Sequence, residues 1–390
     1  MKRLLYIALF LLGFDACVEP YDFEVRETDE VMVVDAVLTN VSEHHTVRLS
    51  ISYALDGEQA TNVSGATVSV EEVGGMQYAY TEVEAGVYES DLEYAGVPGH
   101  SYILHVELND GNRFVSSEEF LPSPVPIDSI YGRYLEQNSQ VDESQLKGVQ
   151  FMVDNHNNSE EFSSYRYEYR EDYEVKVPYP SSYEWLAAEE VLELRETYIG
   201  TCYRFLESNE LIAETTSGQV ENRLSEFPIV YIEDNEAQLR YTFSLIVDQF
   251  SITPGAYQYY KNLKENNESA GSFFDKQKGT VLGNMSHVSD ASYPILGYFE
   301  VAGVSTDSRV FRAGSFRDQG FSPIQPYNCI YDRVADSVAV EELPKYSGLG
   351  FSYEVYQLTF PSPDTAIIIT STCSDCRKHG TLDKPDFWDQ

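Results

Sequence analysis

The sequence predicts a mainly β protein, in which an N-terminal β-sandwich of immunoglobulin or transthyretin-like type precedes a larger β-rich domain with about two short helices. Two observations lead to this fold class. Tyrosine and phenylalanine account for 30 and 20 of the 390 residues, and aromatic side chains fit a pleated, half-buried surface. Short segments with alternating apolar residues recur between turn-forming residues, which is typical of strands with one buried face.

The first predicted domain covers residues 31–120. Its clearest strand is Ser101–Leu108, where every second residue is large and apolar and an Asp110-Gly111 turn follows. The strands predicted here are Val31–Thr39, Thr46–Tyr53, Ala66–Glu72, Gln77–Thr81, Gly86–Ser90, Ser101–Leu108 and Phe114–Ser117. So many short strands favour a Greek-key sandwich. His44 and His45 lie in a polar turn between the first two strands, where we expect them to be solvated.

Residues 121–126 are rich in proline and are predicted to be a stiff linker, because each proline fixes φ and removes a donor. The second domain then covers residues 127–390. We expect one helix near Trp185–Arg195, with Ser182 as a possible N-cap, and another from Thr253-Pro254 to about Lys264. Its predicted strands are Val149–Val153, Tyr165–Val177, Arg240–Phe250, Ile295–Val301, Arg309–Arg312, Tyr353–Phe360 and Ala366–Ser371.

The N-terminus is interpreted as a signal peptide of the lipoprotein type, covering residues 1–16. Lys2 and Arg3 precede an apolar run that would rise only about 16 Å as a helix, too short to cross a bilayer. Ala16 directly before Cys17 resembles the lipobox at which a cysteine is acylated. We therefore predict lipid on Cys17, with residues 17–30 as a tether and no transmembrane helix beyond it. The alternative is an ordinary signal peptide and an incidental cysteine.

Four cysteines remain if Cys17 carries lipid: Cys202, Cys329, Cys373 and Cys376. An even number in an exported chain predicts two disulfides, with three possible pairings. Cys373 and Cys376 also form a CxxC followed by His379, which leaves half of a zinc site or a redox motif as alternatives. A second ligand pair or a βαβ context, which these would require, is not evident.

Charge and motifs exclude several functions. The net charge of −38 repels phosphate backbones, so we expect no nucleic-acid partner. Ser144 and Lys147 fit SxxK, a weak pattern without its companion motifs. Asp154, Asn155 and Glu160 form a weak candidate calcium loop, but Asn and Asp are also what a plain turn needs. We predict no catalytic residue, no metal and no cofactor, and hence a protein that is not an enzyme.

Tyrosines alternate with charged residues from Tyr165 through Tyr167 to Tyr169. Exposed aromatic faces would form a stacking platform for glycans. Packing in the core or between neighbouring strands is the commoner role of such residues, and we favour it here.

The chain resembles the Bacteroidetes lipoproteins grouped as domain of unknown function 4249. The resemblance follows the order of several short pieces along the chain. These are Val33–Thr39, Gly65–Val68, Val97–Tyr102, Pro126–Ile130, Phe243–Leu245, Tyr257–Leu263, Gly283-Asn284, Leu296–Phe299, Cys373–Cys376 and Lys384–Trp388. It implies an outer-membrane lipoprotein encoded beside a TonB-dependent transporter, without known chemistry. Acidic residues after the lipidated cysteine (Glu19, Asp22 and Glu24) fit display on the cell surface, although the periplasmic face stays open.

We therefore expect a non-catalytic accessory subunit that binds a TonB-dependent transporter or its ligand. A glycan- or peptide-binding surface lipoprotein that acts independently of any transporter is the second hypothesis. An exported hydrolase that uses Ser144 is the third, and it has the weakest support.

Overall fold

The computed structural model describes residues 31–52, 61–138, 145–159, 161–186, 189–269, 281–323, 327–346, 353–359, 364–385 and 388. Its strands are β1 Val31–Thr39, β2 Thr46–Ser52, β3 Thr61–Asn62, β4 Thr67–Glu72, β5 Gln77–Glu84, β6 Val87–Ser90, β7 Ser101–Glu107, β8 Arg113–Ser116, β9 Glu119–Phe120, β10 Ile127–Asn138, β11 Gln145–His156, β12 Ser164–Lys176, β13 Tyr183–Leu186, β14 Val191–Leu194, β15 Thr201–Glu207, β16 Ile212–Thr215, β17 Arg223–Glu233, β18 Phe243–Ile252, β19 Met285–His287, β20 Ile295–Phe311, β21 Ala335–Ala339, β22 Tyr353–Leu358 and β23 Thr365–Thr370. The α-helices are α1 Pro254–Ser269, α2 Tyr331–Val334 and α3 Ser371–Ser374, and short 3-10 turns span Gln238–Arg240, Arg317–Gln319, Val340–Lys345 and Cys376–Lys378.

The mainly β class is confirmed, and each strand predicted before residue 120 is present within a few residues of its predicted bounds. Within the described residues, pairing follows one long path, β15-β12-β18-β20-β1-β2-β6-β5-β4-β7-β8-β19. Smaller sheets are β10-β11-β17, β21-β23-β22 and the hairpin β13-β14. Because one path of hydrogen bonds joins the first strands to later ones, the immunoglobulin or transthyretin-like sandwich stays a prediction.

Strand β20 connects the two halves of the sequence. Its first half pairs parallel with β1, from Met32 opposite Ile295 to Thr39 opposite Ala302. Its second half pairs antiparallel with β18, where Ser251 lies opposite Gly303. Met285, Ile295, Phe299 and Val301 belong to the same apolar core as buried residues of β1, β2 and β4 to β8.

Gly297 of β20 lies directly against the backbone of Val34 in β1. Its φ is +100°, and a Cβ atom built there would lie 1.7 Å from the carbonyl oxygen of Val34. Only glycine adopts this backbone conformation without a steric penalty and leaves room for that oxygen. The parallel pairing of β1 with β20 thus depends on a residue without a side chain.

The proline-rich segment 121–126 is packed against strands of both halves. Leu121 and Val125 are buried, and the Val125 carbonyl accepts a hydrogen bond from Gln249 Nε2 at 2.7 Å. The Val125 amide donates to Ser251 Oγ at 3.2 Å. The segment is therefore part of the core packing, and a boundary between independent folding units at 121–126 stays a prediction.

Glu119 is a buried carboxylate that joins three elements. It accepts hydrogen bonds from the Tyr298 hydroxyl at 2.7 Å, from Asn284 Nδ2 at 3.1 Å and from the Thr253 hydroxyl at 3.1 Å. Thr253 Oγ1 in turn accepts from the Ala256 amide at the start of α1. The predicted helix start at Thr253-Pro254 is confirmed. Its N-cap residue Thr253 is hydrogen-bonded to Glu119 of β9.

His45 corrects one expectation from the sequence. It is 3% exposed rather than solvated, and its Nε2 lies 2.8 Å from the Tyr94 carbonyl oxygen. Burial lowers its pKa. The isolated bridge between Glu43 and Tyr94 folds the turn back onto the first core, which the local polarity of the turn did not indicate.

A buried ion pair lies on the face of β20 that α1 covers. Glu300 has no exposed surface, and Arg166 of β12 donates to it from Nε at 2.9 Å and from Nη2 at 2.7 Å. The guanidinium lies 4.0 Å from the centroid of the Phe250 ring and 5.5 Å from that of Tyr260. The two charges are therefore neutralised by each other and stabilised by aromatic faces, and Arg166 Nη1 also donates to the exposed Glu168.

Removing one member of this pair should destabilise the protein strongly. We expect Glu300→Gln to lower the free energy of unfolding by about 3–5 kcal/mol, because the buried Arg166 charge would lose its buried counter-charge and keep only the exposed carboxylate of Glu168. The combined apolar replacement Arg166→Met with Glu300→Leu should cost less than the single change. Urea denaturation followed by circular dichroism measures both.

The matched control is the exposed pair of Arg133 and Glu226, in which the side chains are 48% and 56% exposed. Glu226→Gln should change stability far less than Glu300→Gln does, because water screens the exposed pair. Equal losses for Glu226→Gln and Glu300→Gln would contradict the role given to burial.

Glu171 is a second buried acid, on β12, without a cation among its hydrogen-bond partners in the described part of the chain. It is 5% exposed and accepts from Gln238 Nε2 at 3.3 Å. Burial raises the pKa of its carboxyl to about 7, the charge of Glu236 adds to the shift, and the Gln238 hydrogen bond opposes it. The carboxyl is therefore partly protonated near neutral pH.

This pKa predicts how stability depends on pH. Between pH 4.5, the ordinary pKa of glutamate, and about pH 7, the folded chain keeps a proton on Glu171 that the unfolded chain has lost. The stability that this difference contributes is full below pH 4.5 and is lost as the pH rises through 7. Glu171→Gln should remove this slope and raise stability at pH 8, by roughly 3 kcal/mol at most. Thermal melts from pH 4 to pH 8 test it, with exposed Glu207→Gln as control. An unchanged slope in Glu171→Gln would count against the assignment.

Candidate functional site

The candidate site is a pocket of about 210 Å³ between the hairpin β13-β14 and the sheet β21-β23-β22. We call it the aromatic pocket. Its aromatic lining residues are Tyr183, Trp185, Tyr346 and Tyr353. Its charged lining residues are Glu184, Arg195, Glu354 and Arg377, and Leu343, Val355 and Ile368 complete it.

The hairpin that forms one wall was predicted as a helix near Trp185–Arg195, and that prediction is wrong. Tyr183–Leu186 and Val191–Leu194 are antiparallel strands, and Glu190 in the turn adopts a φ of +54°. Tyr183 and Trp185 share one face, since they are two residues apart on a strand. Packing of that face on a core that contains Leu343 overrides the helical preference of the intervening residues.

Arg195 is the central charged group of the pocket. Its side chain is 9% exposed. Its Nη2 lies 2.5 Å from Glu354 Oε2, its Nη1 lies 3.3 Å from Glu184 Oε1, and its Nε donates to Ser181 Oγ at 3.2 Å. Ser181 is itself fixed by a hydrogen bond of 2.7 Å to the Val355 carbonyl. The guanidinium thus holds two carboxylates that come from opposite walls.

Arg377 forms a second ion pair, with Asp375, in which Nε lies 2.9 Å from Oδ1 and Nη2 lies 2.9 Å from Oδ2. Burial acts to raise the pKa of Asp375, but the hydrogen bonds from Arg377 outweigh it and hold that pKa below its ordinary value. For Glu354, burial prevails over Arg195 and raises the pKa. The charges on the pocket wall are thus arranged in opposite pairs.

Two disulfides hold the C-terminal segment in place beside this pocket. Cys202 is bonded to Cys376, and Cys329 is bonded to Cys373. The segment also donates from the Cys376 amide to the Ile199 carbonyl and accepts at Cys373 from the Tyr179 amide. Arg377 follows directly, so its position depends on this bracing.

The two disulfides predicted from the cysteine count are confirmed, and the structure selects one of the three pairings. The CxxC residues Cys373 and Cys376 are bonded to separate partners rather than to each other. No thiol of these four is left to bind zinc or to form a CxxC redox couple. His379 instead lies 2.7 Å from the Thr372 carbonyl through Nε2.

Two of the three candidate calcium residues, Asp154 and Asn155, do not converge. Asp154 and Asn155 lie on β11, which runs beyond the predicted strand end, and successive strand residues face opposite sides. Asp154 accepts hydrogen bonds from Ser129 and from Tyr131, each at 3.0 Å. The buried Asn155 amide donates to Gln249 Oε1 at 2.6 Å. No cluster of three His, Cys, Asp or Glu side chains suited to a metal was found among the described residues.

Three predicted site residues lie outside the described residues: Cys17, Ser144 and Glu160. The lipid attachment and the SxxK motif therefore stay predictions. Lys147, the other fixed position of SxxK, lies on β11 with its Nζ 3.5 Å from Glu136 Oε1.

The tyrosines first considered as a glycan platform belong to the core. Tyr165 and Tyr167 are 0% and 1% exposed, as the packing interpretation predicted. The aromatic pocket was not predicted from the sequence. Its one local signal is the pair Tyr183-x-Trp185, an alternation of aromatic residues that a strand would place on one face. The residues of the opposite wall are more than 150 positions away, so no spacing rule relates them to the hairpin.

A second cavity of about 350 Å³ lies beside Arg166 and is lined by Asp35, Glu43 and Glu168 among others. Arg166 is already paired with Glu300 and donates to Glu168. Its lining also includes Arg48, His44 and His45, and Phe250 is the one Phe, Tyr or Trp side chain in it. The cavity therefore offers fewer aromatic faces than the aromatic pocket.

Fold and site together define a mainly β protein with two disulfides and with a pocket that four aromatic side chains help to line. The chain belongs to the family described as domain of unknown function DUF4249, whose model matches residues 18–308. The hairpin wall of the pocket lies inside the matched range, and the wall from Leu343 to Arg377 lies beyond it.

Other comparisons add little. No curated protein matches the sequence. Among solved structures, the chain is similar to a DUF4785 family protein from Legionella pneumophila, at 10% identity and a TM-score of 0.18, over 56% of this chain and 52% of that one. The chain thus spans about half the length of that protein. In the described part of the chain, no helix has the length and apolar character needed to cross a bilayer.

The disulfides predict a measurable contribution to stability. We expect the double change Cys329→Ser with Cys373→Ser to lower the free energy of unfolding by about 2–4 kcal/mol, because the unfolded chain would gain the freedom of an open loop. Guanidinium denaturation of the oxidised proteins measures it. Peptide mapping without reduction should recover Cys202 linked to Cys376. Four free thiols in protein purified from its native source without reduction would contradict both statements.

Proposed function

We propose that the protein is a non-catalytic binding protein of the outer membrane, anchored by lipid on Cys17 and acting as an accessory partner of a TonB-dependent transporter. The aromatic pocket is the observation that carries the binding role. It is a concave site in which charged groups converge beside aromatic side chains, and convergent polar groups in a cleft are a common feature of ligand sites.

The pocket favours binding over catalysis because its charged groups already form ion pairs. Arg195 holds Glu184 and Glu354, and Arg377 holds Asp375. A general acid or base needs a proton-transfer partner within reach of substrate, whereas these carboxylates serve as counter-charges. We therefore propose that the protein holds a ligand without changing it. Hydrolysis of a bound ligand would contradict this part.

The membrane address is supported by sequence features. An apolar run too short to span a bilayer leads to Ala16-Cys17. Multiple acyl chains on one cysteine anchor a protein effectively, since each buried methylene contributes roughly 0.8 kcal/mol. Membership of the DUF4249 family and the resemblance to its lipoproteins support a place beside a transporter. Whether the protein faces the cell surface or the periplasm is part of the test.

Purification from native outer membranes tests this proposal. A tagged wild-type protein, extracted in mild detergent, should be acylated and should co-purify with a TonB-dependent transporter. The matched control is Cys17→Ser, which should lose membrane attachment while keeping its fold. Recovery of the wild-type protein alone, from membranes that contain the transporter, would contradict the accessory role. Proteolysis of intact cells assigns the face.

The second candidate is a binding lipoprotein that acts independently of any transporter. The aromatic pocket favours it equally, because a ligand site needs no second subunit. Ligand binding by the purified protein together with absence of any transporter in the purification would select this candidate.

A further inference from the structure

The size of the aromatic pocket limits its ligand to a single ring-sized unit. Its volume of about 210 Å³ lies below the roughly 300–1,000 Å³ of pockets that enclose a drug-sized molecule. One unit of a longer molecule therefore fits, with the remainder outside.

The charges of the lining favour a neutral ligand. Two glutamates and two arginines line the pocket, so their formal charges cancel. A ligand with a net charge would have to compete with ion pairs that already exist, such as that of Arg195 with Glu354 at 2.5 Å. A neutral ligand with hydroxyl groups can instead donate to carboxylate oxygens without separating the pairs.

The aromatic residues favour a ligand with an apolar face. Trp185 and Tyr183 on one wall lie opposite Tyr346 and Tyr353, and the last two rings are 6.3 Å apart and nearly perpendicular. A pyranose ring has this double character: its C–H groups form an apolar face, and its hydroxyls form a polar rim. The mainly polar lining of the pocket complements the hydroxyls, and the exposed parts of its aromatic side chains complement the C–H face.

We propose that the aromatic pocket binds one neutral pyranose unit of an oligosaccharide, with its C–H face against the aromatic side chains and its hydroxyls on the charged wall. Glu184 and Arg377, whose side chains are 50% and 46% exposed, are the charged groups that an incoming hydroxyl reaches first. The inference rests on the proposed binding function and names the ligand class for it.

A peptide side chain fits this lining less well. An aromatic side chain in the pocket would cover the ion pairs and leave their remaining hydrogen-bonding capacity without water, which costs free energy. Hydroxyls of a sugar would satisfy that capacity. Binding of neutral oligosaccharides is therefore compared with binding of aromatic-rich peptides.

Tryptophan fluorescence provides a direct test, because Trp185 and Trp388 are the only tryptophans of the chain. Trp388 packs against Tyr203, with ring centroids 5.8 Å apart, and Trp388→Phe keeps an aromatic ring there while leaving Trp185 as sole reporter. The full-length Trp388→Phe lipoprotein, in a detergent without a sugar headgroup, is applied to an array of neutral oligosaccharides and to an array of aromatic-rich peptides. Glycans that bind are then titrated.

We expect at least one neutral glycan to bind and to shift the Trp185 emission. Tyr353→Ala and Glu184→Gln should each weaken that binding at least tenfold. The matched control is Tyr198→Ala, a 66% exposed tyrosine outside the pocket lining, which should leave affinity unchanged. Glu184→Gln replaces an exposed carboxylate with an isosteric amide, so it tests the contact even if the tyrosine variant folds poorly.

Three results would overturn the inference: no glycan on the array binds, glycan binding is unaffected by Tyr353→Ala and Glu184→Gln, or peptides bind in the pocket in place of glycans. Failure here is distinct from failure of the proposed function. Co-purification with a transporter but no glycan binding would remove only the ligand class. Glycan binding without a transporter would remove only the accessory role.

Discussion

The structure depends on the pairing of β20 with two different strands. Its first half pairs with β1, and its second half pairs with β18. Residues near 300 therefore belong to the same core as residues near 35, and the two halves of the sequence share a sheet. Gly297 makes this possible, since a side chain there would collide with the Val34 carbonyl. The proline-rich segment 121–126 is packed across the same junction.

Two buried carboxylates, those of Glu119 and Glu300, lie at this junction, and both have partners. Glu119 collects hydrogen bonds from β20 and from the cap of α1, and Glu300 is paired with Arg166 beneath that helix. Such groups cost free energy to bury and are tolerated only when satisfied. They restrict how the helix and strands can be arranged, because a shifted register would leave a charge without its partner. A purely apolar interface would tolerate such a shift at lower cost.

The aromatic pocket has a different kind of support. Its walls come from a hairpin of two four-residue strands and from a three-stranded sheet, and two disulfides brace the segment that carries Arg377. Short strands of this kind form small cores, and covalent links compensate for the limited apolar burial. A braced wall also lowers the entropy lost when a ligand is bound, since the lining is already ordered.

The sequence alone determined the mainly β class, the strands of the first half, the capped helix at Thr253-Pro254 and the presence of two disulfides. These features follow from local patterns: period-two alternation, a cap followed by proline, and an even cysteine count. The tertiary structure decided which cysteines pair, that Trp185 lies on a strand rather than in a helix, and that a pocket exists. Each of these depends on contacts between residues far apart in the chain. Burial against residues that are distant in the sequence contributes more free energy than the local preference for helix or strand. The tertiary structure therefore decides these three features.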